Sequence, residues 1–294
     1  MPDEYVLSER PEYIRETLDA GKIGDIRQPL TLWEKISNIS VLRKSVILLL
    51  LAALWQGYAL WADNPLIFPT FKDTIIAFFD ALVHGGLLSR TMVSLKLLVM
   101  GYAAGIALAT VMTIFAVSSR IGSDFLDTLT SMFNPLPAIA LLPLSLLWFG
   151  LGNFSIIFVL IHSVLWPVSL NMHSGFRGVS NTLRMVGHNY GLSGWGYISK
   201  ILVPAAFPSI LTGIKIGWAF AWRTLIAAEL VFGVSSGQGG LGWFIYENKN
   251  EMEVAYVFAG LLTVILIGIS VENLIFRNIE NRTVRKWGMC VLSE

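Results

Sequence analysis

The sequence predicts an all-α membrane protein with about six transmembrane helices and with the N- and C-termini in the cytoplasm. Three observations support this prediction. Hydrophobic residues make up 54% of the 294-residue chain and charged residues only 14%, which is more apolar surface than a soluble domain needs to bury. Apolar segments recur that are long enough to approach the roughly 30 Å hydrocarbon core of a bilayer. Lysine and arginine are concentrated in alternate connecting segments.

Composition also excludes several classes of protein. The net charge is +1 and the basic residues are scattered, so nucleic acid is not an expected partner. The single cysteine, Cys290, excludes a disulfide framework, and the four histidines lack a metal-ligand spacing, so no metal site is expected. The first residues lack the basic and apolar regions of a cleaved signal peptide, so we expect internal spans to direct membrane insertion.

Six segments are candidate spans. The third contains Asn134, Pro135, Pro137 and Pro143, and we therefore expect a kinked helix there. The spans are Ser45 to Ala62, Leu97 to Val117, Leu129 to Gly150, Phe154 to Asn171, Ser209 to Val231, and Val254 to Val271.

Pro69 to His84, between the first two spans, is amphipathic at a helical period. We expect a helix along the membrane interface that does not cross it. Its predicted apolar side consists of Ile75, Ile76, Phe78, Phe79, Ala81 and Leu82.

The distribution of basic residues predicts the orientation. With a cytoplasmic N-terminus, the opposite side keeps only Lys72, Arg90, Lys96 and Lys249, and the cytoplasmic side holds all the others except Lys215 and Arg223, which lie within the fifth span. This asymmetry satisfies the positive-inside rule. It places the segment between the fourth and fifth spans in the cytoplasm.

That segment, within Arg184 to Gly217, is a polar loop between strongly apolar spans. We predict a short helix from an N-cap at Ser180 or Asn181 to Gly191, and a second helix that opens at Ser193 and stops before Pro204. A helix, a glycine hinge and a second helix form a rigid knob. The pattern favours a docking surface for a cytoplasmic partner.

Two sequence matches to enzyme motifs lack the surrounding secondary structure that those motifs require. Gly237, Gly239 and Gly242 satisfy GxGxxG but follow a membrane span, and a flexible outer loop is the expected structure. The match of Gly233, Ser235 and Gly237 to GxSxG has no preceding strand, and we expect a turn. Because GxxxxGK[ST] does not occur, the chain is not expected to bind or hydrolyse ATP itself. We expect no enzymatic activity.

The loop resembles the EAA loop of ABC-importer permeases. The resemblance rests on Gly191, on its spacing to Val203-Pro204-Ala205-Ala206-Phe207-Pro208, and on Leu211-Thr212-Gly213-Ile214. Leu144 to Gly152 and Ala221 to Glu229 resemble the branch that imports nitrate, taurine and aliphatic sulfonates. One departure is that Met185-Val186-Gly187 stands where the EAA triplet would be, so its glutamate is missing.

The resemblance implies the fold of a type I importer permease in a bacterial inner membrane. It divides the chain into a cytoplasmic tail at 1–43, the first span and interfacial helix at 44–89, a transmembrane type-1 core at 90–279 with a coupling loop at 176–208, and a cytoplasmic tail at 280–294. The implied partners are membrane lipid, a second permease copy, two ABC ATPase subunits that use ATP and Mg, and a periplasmic or extracellular solute-binding protein. No cofactor is expected on this chain itself.

Two sets of residues are candidates for function. The first would couple the permease to the ATPase, because bulky apolar side chains are unusual in a solvated loop; the alternative is that they pack on the chain's own helix ends. This set consists of Gly191, Leu192, Trp195, Tyr197, Ile198 and Pro204.

The second set comes from polar residues inside spans, which are costly at membrane depth. Arg223 and His162 are predicted at similar depth and in one cavity, where Arg223 would bind an anion. The alternatives are a structural ion pair of Arg223, with Glu229 or more naturally with another helix or subunit, and a hydrogen-bonded core histidine at His162. Glu229 is predicted near the outer end of the fifth span, as a gate, a contact to the binding protein, or a capped, water-exposed carboxylate.

Other classes of function stay open at this stage. A secondary transporter would need coupling-ion sites and usually inverted repeats. A channel would not require the pattern of the loop. The solute is equally open among sulfonate, taurine, nitrate, bicarbonate and aromatic carboxylate.

Overall fold

The computed structural model describes residues 38–232 and 239–288, and within these ranges all regular elements are helical. The predicted tail as far as residue 37, the GxSxG match at Gly233 to Gly237, and Cys290 lie outside the described residues. By internal contacts the chain divides into two units, Met1–Ala53 and Leu54–Glu294. The described part of the first unit is the N-terminal part of helix α1. The sites described below lie in the second unit.

Each predicted span corresponds to a helix or a pair of helices in the structure. The longest continuous stretch runs without interruption from α8 through a π-helical turn into α9. The elements are α1 (Ser40–Ala62), α2 (Phe71–Val83), α3 (Leu87–Ser118), α4 (Arg120–Phe133), a 3₁₀ turn (Ala138–Leu141), α5 (Leu142–Phe149), α6 (Asn153–Arg177), α7 (Asn181–Asn189), α8 (Gly194–Tyr197), a π turn (Ile198–Leu202), α9 (Val203–Phe232), α10 (Leu241–Asn250), α11 (Val254–Ser270), a π turn (Val271–Phe276) and α12 (Arg277–Arg282).

Five helical stretches within the described ranges are long and apolar enough to cross a membrane, and there are up to six if α4 and the helical pair after it form one span. This confirms an all-helical, multi-pass membrane protein. The second span is longer than predicted, because α3 begins at Leu87 and not at Leu97. Arg90 made that first part look unlike a span, but its guanidinium forms an ion pair of 2.6 Å with Glu247.

The third predicted span is not one kinked helix. Helix α4 ends at Phe133, and the helical segment from Ala138 turns away from it by 87°. Pro135 and Pro137 remove two backbone donors within three residues, so the chain cannot continue its helical hydrogen bonds through this point. The prediction of a single helix over Leu129 to Gly150 is therefore wrong, and a broken pair stands in its place.

Helix α2 forms as predicted, and part of its predicted apolar side is inward: Ala81 is buried, and Ile75, Phe78 and Leu82 are partly buried. Thr70 caps it by accepting a hydrogen bond of 3.1 Å from the backbone N–H of Asp73. Its buried residues are the small Thr74, Ala77 and Ala81. Ile76 and Phe79, which were predicted to form its apolar side, are exposed. The small face allows close packing against the neighbouring helix α11.

Close packing around α6 explains the small-residue spacings of two other helices. A Cβ on Gly101 of α3 would lie 2.5 Å from the Cβ of Leu160, and one on Gly105 would lie 2.7 Å from the Cβ of Val164. A Cβ on Gly217 of α9 would lie 2.8 Å from Val168. These glycines therefore bring α3 and α9 against α6 within one subunit.

The second helix of the loop does not stop before Pro204. Helix α8 passes through the π turn into α9, which contains Pro204 near its start and Pro208 in its interior. In a π turn the backbone hydrogen bonds join residues five apart instead of four. This turn ends at Leu202, shortly before Pro204, which has no N–H to donate. The loop thus joins the fifth span as a continuous helix, and the prediction that its second helix stops before Pro204 is wrong.

Candidate translocation cavity and coupling loop

A cavity of about 360 Å³ lies beside the break in the third span. Non-helical backbone is tolerated at membrane depth where it lines a cavity, and the segment after Phe133 does so here. Helices α6 and α9 complete the wall. The lining residues are Phe133, Asn134, Pro135, Leu136, Pro137, Ala138, Ile139, His162, Ser163, Trp166, Pro167, Phe220, Arg223, Thr224 and Ala227.

Arg223 is the only cationic side chain among the described residues that line this cavity, apart from the titratable His162. Its Nε donates a hydrogen bond of 3.0 Å to the carbonyl of Ala219, and its Cζ lies 5.3 Å from the ring centroid of Phe220. None of the ion pairs between described residues includes Arg223. The terminal nitrogens of the guanidinium therefore remain available for an anion. The predicted alternative, a pair with Glu229, does not form within the subunit.

His162 also lines the cavity, so the structure brings the two predicted pathway residues together. Both ring nitrogens are buried, and neither has a hydrogen-bond partner among the described residues. The expected hydrogen-bonded core histidine thus has no protein partner among the described residues. The ring meets Phe133 and Trp166 edge-on, at centroid distances of 6.3 and 6.0 Å.

Trp166 is a wall residue that the sequence analysis did not single out. It is 7% exposed, and its indole N–H is buried with no acceptor among the described residues. Its ring stacks on Phe133 at 5.2 Å and 17°. Trp166 is four residues from His162, which places both side chains on one face of α6. From this spacing the sequence could have predicted that Trp166 lines the same cavity.

Glu229 lies outside the cavity and is buried, with 2% of its surface exposed. Its two carboxyl oxygens each lie 2.8 Å from the hydroxyl of Ser94, and one accepts a hydrogen bond of 2.8 Å from the backbone N–H of Gly242. The Ser94 hydroxyl also accepts from the N–H of Leu241 at 2.7 Å. Glu229 thus joins α9, α3 and the N-terminus of α10, and the expectation of a water-exposed carboxylate is wrong.

Gly242 of the GxGxxG match and the neighbouring Gly240 pack against this same cluster. Gly239, Gly240 and Gly242 are buried. A Cβ on Gly242 would lie 2.6 Å from the Cβ of Glu229 and 2.6 Å from the carbonyl oxygen of Ile226, and a Cβ on Gly240 would collide with the Glu229 carboxyl. From Gly239 onward the prediction of a flexible outer loop is therefore wrong, because these glycines permit close packing. Gly237 lies outside the described residues.

The loop begins with the predicted cap. Ser180 accepts a hydrogen bond of 3.3 Å from the N–H of Leu183, and α7 ends before Gly191, whose φ of +69° lies in the left-handed region. The guanidinium of Arg184 donates to the carbonyls of Phe176 and Val179 at 2.8 and 3.2 Å. The loop is consequently anchored to the end of α6.

The predicted coupling residues divide into outward and inward side chains. Trp195 is 80% exposed and Ile198 is also exposed, whereas Leu192 is half-buried. Tyr197 stacks on His188 at 4.9 Å and packs on Gly187, where a Cβ would lie 2.8 Å from its ring. Tyr197 therefore holds the two helices of the loop together.

Exposed apolar side chains stand at the position where the EAA triplet would be. Met185 and Val186 are 59% and 41% exposed, and Leu183 and Tyr190 of the same loop are exposed as well. Leu183, Val186 and Tyr190 are spaced by three and four residues, which places them along one side of α7. Together with Trp195 they form what we term the loop face.

Comparisons with known proteins assign the chain to a family of membrane transport components. Residues 101–285 match the family described as "Binding-protein-dependent transport system inner membrane component". A putative ABC transporter permease protein of Methanocaldococcus jannaschii is 30% identical over 246 residues, which cover 81% of this chain and 90% of that protein. The chain belongs to this family of transport-system membrane components.

Two further relatives have names that specify a solute. The putative aliphatic sulfonates transport permease protein SsuC of Bacillus subtilis is 30% identical over 236 residues, covering 80% of this chain and 83% of its own. The nitrate import permease protein NrtB of Synechocystis is 28% identical over 247 residues, covering 82% and 88% respectively. The family, the helical architecture and the multi-pass membrane location are thus defined.

Proposed function

We propose that this chain is the permease subunit of an ATP-driven ABC importer and forms the translocation pathway for a small anionic solute. The observation that carries the proposal is the guanidinium of Arg223, which faces a cavity at a broken span without an ion-pair partner among the described residues. Holding an unpaired cation within a membrane span is costly, and a transported anion offsets this cost during passage. Relatives named for aliphatic sulfonates and nitrate support an anionic solute.

The loop of residues 184–204 transmits the ATPase cycle to this pathway. It is anchored to α6 through Arg184 and continues without a break into α9, the helix that carries Arg223. A displacement of the loop therefore acts directly on the cavity wall. The loop face supplies apolar contacts at the place where the EAA glutamate is absent, and Tyr190 and Trp195 are its exposed aromatic rings on either side of the hinge. Gly191, Leu192, Ile198 and Pro204 shape and flank this surface, and Tyr197 supports it from within.

The proposed assembly contains two copies of this chain, two ATPase subunits that bind ATP and Mg, and a solute-binding protein on the opposite side. It lies in a bacterial inner membrane with both termini and the loop in the cytoplasm. The concentration of lysine and arginine on the loop side supports this orientation. Hydrolysis belongs to the partner subunits, since the chain has no P-loop motif.

Co-purification tests the proposal against a secondary transporter or a channel. The chain is expressed with its ATPase subunit, and residues 191–200 are replaced by a Gly/Ser linker of equal length. We expect the ATPase to co-purify with the wild-type chain and to be lost from the variant, and solute uptake to require ATP. Uptake that proceeds without ATP, or an ATPase that binds equally without the loop, would contradict the proposal.

A further inference from the structure

The cavity presents hydrogen-bond donors that have no protein acceptor. The terminal nitrogens of Arg223 and the indole N–H of Trp166 are of this kind, and His162 can donate from one ring nitrogen. Trp166 is more than nine-tenths buried, so its N–H is costly to leave unpaired. A ligand with several acceptor oxygens, such as a carboxylate or a sulfonate, would satisfy these groups together.

The same wall offers little to a positive charge. None of the described residues that line the cavity is aspartate or glutamate. Two of the aromatic rings that could attract an ammonium group are already engaged: Phe220 faces the guanidinium of Arg223 at 5.3 Å, and Phe133 stacks on Trp166 at 5.2 Å. A zwitterion with an ammonium group would leave its cation without a partner.

The remaining wall is mostly apolar, with Asn134, Ser163 and Thr224 as its polar residues, and the cavity is larger than an inorganic anion needs. Three prolines, Leu136, Ile139 and two alanines line it together with the aromatic rings. A volume of about 360 Å³ lies within the range of organic ligand pockets. Nitrate or bicarbonate would leave most of this apolar surface in contact with water.

We infer that the solute is an organic monoanion with an apolar or aromatic body and no ammonium group. This inference rests on the proposed function, in which the Arg223 cavity holds the solute. The oxyanion accepts hydrogen bonds from Arg223 and Trp166, and the body packs on the rings and prolines. The site therefore distinguishes an organic sulfonate or carboxylate from taurine, nitrate and bicarbonate.

Saturation-transfer NMR on the full chain in lipid nanodiscs tests this inference, with benzenesulfonate as the probe. Benzoate, nitrate and taurine serve as competitors at matched ionic strength. We expect saturation of the benzenesulfonate ring protons, displacement by benzoate, and at least about tenfold weaker displacement by nitrate and by taurine. Arg223→Gln should weaken probe binding about tenfold, because a charged hydrogen bond is lost. Lys96→Gln is the matched control, since this exposed cation of α3 lies outside the cavity.

Displacement by nitrate or taurine as effective as that by benzoate would overturn the inference. Absence of probe saturation would overturn it equally. The order of competitors is measured on the unmodified chain, so it does not depend on the folding of any variant. Failure here is distinct from failure of the proposed function: ATP-dependent uptake of nitrate or taurine would retain the importer and reject only this solute class.

Discussion

The hydroxyl of Ser94 lies 2.8 Å from each carboxyl oxygen of Glu229, although 135 residues separate the two in the chain. Both residues are buried, and the same hydroxyl accepts a hydrogen bond from the N–H of Leu241. One side chain on α3 thereby fixes α9 and the start of α10. The carboxyl that looked like a gate is a structural link beside the pathway helix.

Removal of the Ser94 hydroxyl should destabilise the chain. Ser94→Ala leaves a buried carboxyl with one donor fewer and the N–H of Leu241 without its acceptor, and we expect a loss of about 1–3 kcal/mol in the free energy of unfolding, the usual cost of a buried polar group that loses its hydrogen bond. Thermal unfolding in detergent measures the effect. Ser118→Ala on the same helix removes an exposed hydroxyl and is the control. Equal melting temperatures for the two variants would contradict the link.

The packing role of Gly242 makes a second prediction. Gly242→Ala places a methyl group 2.6 Å from both Glu229 Cβ and a backbone carbonyl oxygen, so the helices must separate. We expect a destabilisation of about 1–3 kcal/mol, as for other overpacked positions. Gly57→Ala serves as the control, because no atom lies within 4 Å of a Cβ there. If Gly242→Ala were as stable as the control, the close approach of α9 and α10 would be refuted.

Gly191 should control coupling. Its φ of +69° is unfavourable for a β-branched residue, so Gly191→Val strains the hinge between the helices of the loop. We expect solute-stimulated ATP hydrolysis and uptake to become uncoupled in this variant. Gly191→Asn should retain most of the coupling, because asparagine tolerates the left-handed region. The measurement is the ratio of solute transported to ATP hydrolysed. An unchanged ratio in Gly191→Val would show that the hinge at Gly191 does not control coupling.

Asp80 should contribute stability that depends on pH. A hydrogen bond of 2.6 Å from Tyr256, and then one from His84, hold the pKa of Asp80 below its usual value. A carboxyl whose pKa is depressed in the folded state stabilises that state above its unfolded pKa of about 3.9, and the contribution disappears as the pH falls through the folded value.

The pH dependence is measured by thermal unfolding of Asp80→Asn and the wild type. The melting temperature of Asp80→Asn should be lower at neutral pH, and the difference should shrink as the pH falls below about 4. Asp63→Asn is the control, because this residue lies in a turn after α1 and its carboxyl has no ion pair among the described residues. A difference that is constant with pH would show that the hydrogen bonds do not act through the charge of Asp80.

Local signals predicted the parts of the fold that depend on near neighbours. Ser180 caps α7 and Gly191 adopts a positive φ because both roles are set within a few residues. The apolar length of each span likewise predicted the main helices. His162 and Arg223 were placed in one cavity because equal depth in adjacent helices follows from helical rise alone.

Other features depend on contacts that no local pattern contains. The burial of Glu229 requires Ser94, which lies on another helix, and the exposed face of α2 depends on which side α11 covers. The sharp break after Phe133 was underestimated because prolines indicate an interruption but not its angle. Helix α9 passes through Pro204 because the preceding π turn changes the bonding pattern, and this depends on the packing of the loop.

Uptake by the reconstituted complex tests the central claim most directly. The chain is placed in proteoliposomes with its ATPase and its solute-binding protein, and ATP-driven solute uptake is compared for the wild type, Arg223→Gln and the control Lys96→Gln. We predict that Arg223→Gln lowers uptake about tenfold, because the anion loses a charged hydrogen bond, while the complex assembles as before and Lys96→Gln transports normally. Normal uptake by Arg223→Gln would contradict the claim that this cavity carries the anion, and loss of assembly would assign Arg223 a structural role.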